Sequence, residues 1–439
     1  MDKYLSARKN NVVTAALIIF CSLIMLISYS AKAESDKLVI LTTFSKASLT
    51  PLVEEFNQRF PETKVHLLYR RTSSIRYLLD RPLIQDVDLV LSSSPFLMKG
   101  LSERKHLDQL PEKLQTPTWL KPYTLVDNAE VTTFAYSGGG LIINSDYLKN
   151  HNLSQPTSWR DLTKPEYFGH LSASTPARSG TNQLMLESLL QKYGWNEGWK
   201  LIMNMAANLT TISSRSFGVS DGVAKGHSAV GPVIDSYAVR LKTRLSHISF
   251  VSLSDFTLMP SYVGIINTSK NHSSAEIFIR FLLSQPVQEG LIQKTLAKHS
   301  MRDSELALSP HTTLSTDSTF NRELAIQVLF DLSITRRLPD LCETWLSIIS
   351  AEREYSHSPS HLEQIQKAKN IAFTMPVSQS TALTALSNDG HYSNLTQLER
   401  DPERLEVLKL WQGKLAINLK KANELIDSLP YMKGINDGK

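Results

Sequence analysis

The strongest constraint on the fold of this 439-residue chain is a regular alternation of short apolar runs and amphipathic helices over residues 37–95. An apolar run at 38–41 precedes a segment with apolar residues at helical spacing, and a second apolar run follows at 65–69. A helix over "SSIRYLLD" and a strand over "VDLVLSSSP" continue the pattern. Near-continuous apolar strands that alternate with helices are typical of a parallel sheet, so we predict an α/β fold.

Two hydroxyl-rich turns follow strands of this unit, "TTFS" at 42–45 and "SSSP" at 92–95. In open α/β sheets, ligands bind outside the carboxyl ends of the strands. If the two strands are neighbours, the turns lie side by side and form a pocket. Ser and Thr also favour turns for local reasons, so a pocket and plain turn chemistry both remain open on these residues.

The same alternation restarts at Gly138, where "SGGGLIINSDYL" predicts a glycine turn, a buried strand and a further turn. A second α/β unit therefore extends to about residue 252. The segment "PSYVGIINTSK" and the helices after it are predicted to return to the first unit, because a connection across a two-lobed cleft must pass back through the hinge.

The N-terminus has the three parts of a secretory signal peptide. Basic residues at positions 3, 8 and 9 precede an apolar run over 12–28, and the small residues Ala31 and Ala33 follow it. We predict cleavage after Ala33. The alternative is a retained membrane anchor, since the apolar run approaches the length that spans a bilayer.

Residues after about 304 change character, because they show only helical patterns, with apolar residues at helical spacing from Leu405 to Leu419. The apolar faces of this region would cover the cleft-bearing body, pack among themselves or meet a partner. The predicted division of the chain is a signal peptide at 1–33, the first part of lobe 1 at 34–137, lobe 2 at 138–252, the return to lobe 1 at 253–303 and an all-helical C-terminal extension at 304–439.

The charge and the cysteine content exclude several classes of function. Residues 1–33 carry four of the 47 basic residues and one of the 42 acidic residues, so the remaining chain has a net charge of about +2 instead of +5. No basic stripe with interleaved aromatic residues stands out, which argues against a nucleic-acid partner. Cys342 is the only cysteine after the signal peptide, so the mature chain has no internal disulfide. Without CxxC pairs or an HExxH helix, a zinc site has no support in the sequence.

The stretch "TPARSGTNQLMLESLL" at 175–190 places small polar residues directly before an amphipathic helix. Ser179 and Thr181 are residue types that cap helices, and Gly180 allows close approach to the backbone. A helix start presents free N–H groups and the positive end of the helix dipole, which favours anions. An ordinary capped helix and an anion site both fit this stretch.

Several segments in a fixed order carry a resemblance to a known family. These are "PTSWRDLTKPEYFGHLSASTPARSGTNQLM", "AVGPVI", and "PSYVGIIN" followed by "SSAEIFIRFLLSQPVQEGL". Over about 37–300 the chain resembles bacterial periplasmic solute-binding proteins, in the class that contains ferric-iron, phosphonate and sugar-phosphate binders. Within that class, "TTFS", "SSSP", "ARSGTNQLMLESLL", "TISSRSFGVSDGVAKG" and "VGPVIDSYA", with a helical extension, resemble the phosphoglycerate transport regulators of enteric bacteria.

This resemblance implies a two-lobed periplasmic-binding-protein fold whose hinge closes on a ligand. It also implies ligand contacts from loops at strand ends and helix starts. Asp235 either receives a ligand hydroxyl or caps the next helix. Carried onto this sequence, the implied contacts are Thr43, Ser45, Ser93, Ser94, Ser179, Gly180, Thr181, Ser214, Arg215, Ser216, Asp235 and Tyr237.

Two arginines extend this set toward a phosphorylated ligand. Arg178 and Arg215 each lie in a stretch rich in Ser, Gly and Thr, and arginine gives phosphate bidentate, charge-assisted hydrogen bonds. A structural salt bridge is the other interpretation of each. Ferric binders of this class usually carry adjacent tyrosines after the strand that matches "GPVI", whereas "DSYAVRL" offers Tyr237 alone, which argues against an iron site.

The resemblance favours a periplasmic receptor for a small phosphorylated anion such as phosphoglycerate, which signals to an inner-membrane sensor kinase. The alternative is the binding component of an ABC importer for a phosphonate, a sugar phosphate or ferric iron, with a permease as partner. We expect that the protein is not an enzyme and that it binds no cofactor. The hydroxyl-rich turns have no nearby histidine or glutamate, and "SRSFG" is not a nucleophile elbow.

Overall fold

The computed structural model of the chain describes residues 36–70, 86–293, 296–302, 311–387 and 394–430. The predicted signal peptide and the helix predicted over "SSIRYLLD" lie outside these residues. Within the described ranges, no helix combines the length and the apolar character that crossing a bilayer requires.

Ten strands occur in these ranges, and they form two five-stranded sheets. The strands are β1 (Asp36–Thr42), β2 (Thr63–Tyr69), β3 (Leu89–Ser92), β4 (Thr132–Ser137), β5 (Gly139–Asn144), β6 (Leu171–Ser174), β7 (Leu209–Ser213), β8 (Val230–Ile234), β9 (Ile248–Ser252) and β10 (Met259–Ile265). The first sheet has the order β2-β1-β3-β10-β4 and belongs to lobe 1. The second has the order β7-β6-β8-β5-β9 and belongs to lobe 2.

Helices cover these sheets and continue beyond them. The α-helices of the described residues are α1 (Lys46–Arg59), α2 (Pro95–Glu103), α3 (Ser145–Asn150), α4 (Gly180–Tyr193), α5 (Trp195–Ala207), α6 (Ser216–Ala224), α7 (Asp235–Lys242), α8 (His272–Leu283), α9 (Gln285–Gly290), α10 (Thr316–Phe330), α11 (Leu338–Glu354), α12 (Pro359–Ala372), α13 (Gln379–Ala385), α14 (Leu395–Leu398) and α15 (Pro402–Asp427). The last six form the C-terminal extension.

Strand direction fixes which edge of each sheet faces the other lobe. β1, β2 and β3 are parallel, and β4 runs the same way, so all four end at one edge of the first sheet. β10 runs opposite to both neighbours, because the chain enters it from lobe 2 at that same edge. In lobe 2, β6, β7 and β8 run opposite to β5. The α/β prediction is confirmed, and the strands β1, β2 and β3 are parallel as expected, although each complete sheet is mixed because β10 and β5 run opposite to their neighbours.

The first connection between the two lobes is very short. Only Gly138 separates β4 of the first sheet from β5 of the second. The next residue must also be glycine, since a Cβ on Gly139 would lie 2.0 Å from the Phe256 ring. A further segment, 296–302, lies beside this connection, where Tyr136 and His299 exchange backbone hydrogen bonds of 3.1 and 2.9 Å. The end of β4, Gly138 and the start of β5 therefore form the hinge.

The C-terminal extension packs on lobe 2 and shares one continuous apolar core with it. Trp345 of α11 is fully buried, and its Nε1 donates to Asn208 Oδ1 at 2.7 Å at the end of α5. The extension also reaches lobe 1, because the Phe320 ring of α10 meets the Phe96 ring of α2 edge to face at 5.4 Å. The apolar faces of the extension therefore cover the cleft-bearing body, which is one of the three neighbours that the sequence left open.

Candidate ligand-binding site

The carboxyl ends of strands from both lobes meet at one junction. On the lobe 1 side these are the ends of β1 to β4, and on the lobe 2 side those of β6 to β9. The residues predicted to contact a ligand all follow the end of β1, β3, β6, β7 or β8. The topology thus brings residues that are far apart in sequence to one edge of each sheet, because parallel strands end at a common edge.

In lobe 1, the two hydroxyl-rich turns lie side by side. Thr43 Oγ1 lies 2.9 Å from Ser92 Oγ, since β1 and β3 are neighbouring parallel strands. Ser93 Oγ lies 3.2 Å from the hydroxyl of Ser261 on β10. The two turns therefore form one cluster of hydroxyls, in which Ser92 and Ser261 are fully buried and each hydroxyl has a partner within the protein.

Two further predicted serines cap the helices that leave these turns. Ser45 Oγ accepts a hydrogen bond of 3.2 Å from the backbone N–H of Ser48 and caps α1. Ser94 Oγ accepts one of 3.3 Å from Leu97 N–H and caps α2. Ser45 is exposed and Ser94 is buried. Both hydroxyls thus have a structural role that accounts for their residue type.

In lobe 2, the starts of α4 and α6 touch each other. Ser179 caps α4 by accepting a 3.1 Å hydrogen bond from Asn182 N–H, and its hydroxyl lies 2.5 Å from Ser216 Oγ at the first residue of α6. The N–H groups of Gly180 and Thr181 open α4 and have no acceptor within the helix. A Cβ on Gly180 would meet no atom within 4 Å, so the side of α4 at Gly180 is not covered by other residues.

Arg215 reaches from lobe 2 to lobe 1. It directly precedes α6, and its Nη1 donates to the phenol oxygen of Tyr69 at the end of β2, at 2.5 Å. A second contact between the lobes joins Arg240 Nη1 of α7 to Ser48 Oγ of α1 at 3.2 Å. The other predicted residues of these turns, Arg178 and Ser214, are exposed.

Tyr237 lies in the same region of the junction. Burial raises the pKa of its phenol, and the nearby Arg240 and Arg215 oppose that rise. Among the residues that the structure describes, no group of three or more His, Cys, Asp or Glu side chains is arranged to hold a metal ion.

Asp235 lies at the hinge and is the first residue of α7. Its Oδ2 accepts a hydrogen bond from Gly138 N–H at 2.7 Å and lies 2.8 Å from Nε2 of His299. Its backbone N–H donates to Gly138 O at 3.0 Å. The carboxylate of Asp235 therefore joins Gly138, which lies between the two sheets, to His299 of the segment beside it.

Lys298 is a buried cation beside this hinge cluster. Its side chain is 3% exposed, and Nζ donates to Ser137 Oγ at 2.9 Å and lies 5.3 Å from the centre of the Phe44 ring. Burial lowers the pKa of Lys298 to about 8, and the carboxylate of Asp235 partly opposes that change.

We expect Lys298 to make stability rise with pH above about 8. The folded protein releases the Lys298 proton near pH 8, whereas the unfolded chain keeps it until about 10.5, so the unfolded state binds more protons in that window. Relative to Lys298→Met, the wild type should gain about 2 kcal/mol between pH 8 and 9.5. Urea unfolding of both proteins across this range measures the difference, and parallel curves would contradict the expectation.

Sequence reasoning missed three residues of the junction. Tyr69 ends a strand that the sequence predicted, and that position was a usable signal, because strand ends line such clefts. Arg240 lies more than one turn into α7 and carries no local signal. Lys298 in "TLAKHS" carries none either, since only the return of the chain to the hinge brings it to Ser137.

Two α/β lobes that face each other with their strand ends and are joined by a short hinge define the two-lobed periplasmic binding proteins. The chain belongs to the family of bacterial extracellular solute-binding proteins, whose sequence profile matches residues 87–310. The resemblance seen in the sequence is thereby confirmed.

Relatives of known name match most of the chain. The phosphoglycerate transport regulatory protein PgtC of Salmonella typhimurium is 33% identical over 332 residues, which are 74% of this chain and 83% of that protein. An uncharacterized protein of Haemophilus influenzae is 22% identical over 187 residues, 42% of this chain and 52% of that protein.

Solved structures agree on the fold. The periplasmic binding protein AfuA of Actinobacillus pleuropneumoniae, with fructose-6-phosphate bound, aligns with a TM-score of 0.62 and 16% identity over 69% of this chain and 99% of its own. Iron-bound HitA of Pseudomonas aeruginosa aligns with a TM-score of 0.56 and 16% identity over 66% and 98%. At these identities the comparisons concern the fold alone.

Proposed function

We propose that this protein is a periplasmic receptor that captures a small phosphorylated anion between its lobes and reports occupancy to a membrane sensor. One observation carries the proposal. The starts of α4 and α6 touch through Ser179 and Ser216, next to the uncovered side of Gly180, and Arg215 reaches from the second of these starts to Tyr69 of the other lobe.

This arrangement has the chemistry that phosphate requires. Free N–H groups at two adjacent helix starts, together with the positive ends of both helix dipoles, favour an anion that binds at their N-termini. Arg215 adds a planar fork of donors that matches phosphate oxygens. Because Arg215 also contacts lobe 1, an anion bound to it would favour the closed arrangement of the lobes, and a ligand shifts an equilibrium only through such a preference.

The relative's name supports phosphoglycerate as the ligand and regulation as the role. PgtC of Salmonella typhimurium, a phosphoglycerate transport regulatory protein, matches this chain over 74% of its length. The periplasmic location is part of the proposal and rests on the family and on the N-terminal pattern of residues 1–33.

The helical extension favours signalling over plain import. An importer needs only the two lobes, whereas here α10 to α15 share the core of lobe 2 and touch lobe 1 through Phe320. A segment that contacts both lobes can present a different surface when they move. The alternative, a binding component of an importer, gives these helices no role.

A panel of ligands tests the proposal on the purified mature chain. Phosphorylated three-carbon acids should raise the thermal unfolding midpoint by several degrees at 100 times their Kd, because a ligand that binds only the folded state stabilises it by about 2.7 kcal/mol. Sugar phosphates, phosphonates and ferric citrate complete the panel. A shift with ferric citrate alone, or with none of the phosphorylated compounds, would contradict the proposed ligand class.

A further inference from the structure

Lys298 is a buried positive charge with little compensation inside the protein. Within the described residues, its Nζ donates one hydrogen bond, to the neutral hydroxyl of Ser137, and forms no salt bridge with a carboxylate. Asp235 is the nearby acid, but its Oδ2 already accepts from Gly138 and lies against His299. Buried ammonium groups are normally paired with an acid. A buried ammonium group without such a partner is therefore suited to bind an anionic group of a ligand.

The backbone holds this lysine in place at a cost. Ala297, directly before it, has φ of +48°, a left-handed conformation that a non-glycine residue adopts only when its surroundings impose it. On the other side, His299 is fixed by its two backbone hydrogen bonds with Tyr136. Both constraints act on the residues that flank Lys298 and direct its side chain toward Ser137.

The position of Nζ relates Lys298 to the proposed site. Phe44, whose ring lies 5.3 Å from Nζ, belongs to the turn that follows β1 and also carries Thr43 and Ser45. Arg215 contacts Tyr69 at the end of β2, and β2 is the neighbour of β1 in the sheet, about 5 Å away. Lys298 therefore lies against the turn after β1, and Arg215 lies against the end of the neighbouring strand β2.

We propose that Lys298 is a second anion contact of the site and binds the carboxylate of a ligand whose phosphate lies at the starts of α4 and α6. This inference rests on the proposed function and narrows the ligand to a short carboxylic acid that carries a phosphate group. Phosphate alone would occupy only the end of the site next to Arg215.

A purely structural role for Lys298 makes a different prediction. If the lysine only ties the hinge through Ser137, its loss changes the closing of the lobes and weakens every ligand by the same factor. If it binds a carboxylate, its loss weakens only ligands that have one. The comparison of two ligands that differ in the carboxylate therefore separates the two roles.

The experiment measures the affinities of 3-phosphoglycerate and glycerol 3-phosphate by calorimetry for the wild type, Lys298→Met and Lys420→Met. The last variant removes the same charge from a side chain of α15 that is 78% exposed. We expect the wild type and Lys420→Met to prefer 3-phosphoglycerate at least tenfold. In Lys298→Met this preference should fall below threefold, while the affinity for glycerol 3-phosphate stays within threefold of the wild type.

Three results would overturn the inference. They are an equal loss for both ligands in Lys298→Met, an unchanged preference in that variant, and a wild type without preference. A wild type that binds neither phosphorylated compound would instead refute the proposed function itself. Lys298→Gln, measured in the same way, provides a second variant, and the unfolding midpoint of each variant without ligand shows that it is folded.

Discussion

Replacing Arg322 by alanine is expected to lower the free energy of unfolding by about 3–5 kcal/mol. Arg322 of α10 pairs with Glu187 of α4, and the two side chains are 6% and 0% exposed. Burial already raises the pKa of Glu187, and Arg322 opposes that rise. Without the guanidinium, a carboxylate remains buried with no cation to compensate it. Urea unfolding at pH 7 measures the loss.

Two controls show whether the loss of stability comes from breaking the buried pair or from removing a charge of any kind. Arg336→Ala breaks a pair with Glu399 whose side chains are 40% and 29% exposed, and it should cost less than about 1 kcal/mol. The double replacement Glu187→Leu with Arg322→Met removes both charges, and it should return to within about 1 kcal/mol of the wild type. A loss in Arg322→Ala no larger than in Arg336→Ala would show that the pair does not join the extension to lobe 2.

Replacing Arg215 by alanine is expected to weaken binding of the best ligand of the panel by about 10- to 100-fold. A hydrogen bond to a charged group contributes about 1.5–3 kcal/mol, and each 1.4 kcal/mol is a factor of ten in affinity. Arg215 is half-buried between Tyr69 and Phe217, whose ring centre lies 5.3 Å from Cζ. Calorimetric titration measures the affinity, and the unfolding midpoint without ligand should change little.

Two matched variants show whether Arg215 contributes through its charge alone or through its bidentate hydrogen bonds. Arg244→Ala removes the same charge from an exposed position after α7 in the same lobe, and it should leave the affinity within threefold. Arg215→Lys keeps the charge but loses the bidentate fork, so it should recover only part of the loss. If Arg215→Ala binds as tightly as Arg244→Ala, the phosphate does not lie at the start of α6.

Much of the fold is contained in local sequence patterns. The apolar runs that became β1, β2 and β3 are recognisable because a buried strand leaves few polar positions, and Ser45, Ser94 and Ser179 mark helix starts because a cap needs a side-chain acceptor. The direction of β10 was not predictable, since it depends on where the chain re-enters the sheet.

The site was only partly accessible to the same reasoning. Arg215 was predicted as a contact because it lies in a run of small polar residues before a helix. Tyr69 and Lys298 owe their positions to contacts across the fold, with Arg215 in one case and with Ser137 in the other. Arg322 also gives no signal, because a charged residue on a helix looks the same in sequence whether it faces solvent or a buried glutamate.

The contact between Phe96 and Phe320 has a mechanical consequence. The extension is fused to lobe 2 through a common core, whereas Phe96 belongs to lobe 1, so the lobes cannot separate at this rim without pulling the two rings apart. Separating the rings exposes two aromatic surfaces to water. It also loses the edge-to-face attraction, which contributes about 0.5–1.5 kcal/mol in addition to the free energy of burying the rings. Opening the lobes therefore costs the energy of this contact, so the resting angle between the lobes depends in part on the C-terminal extension.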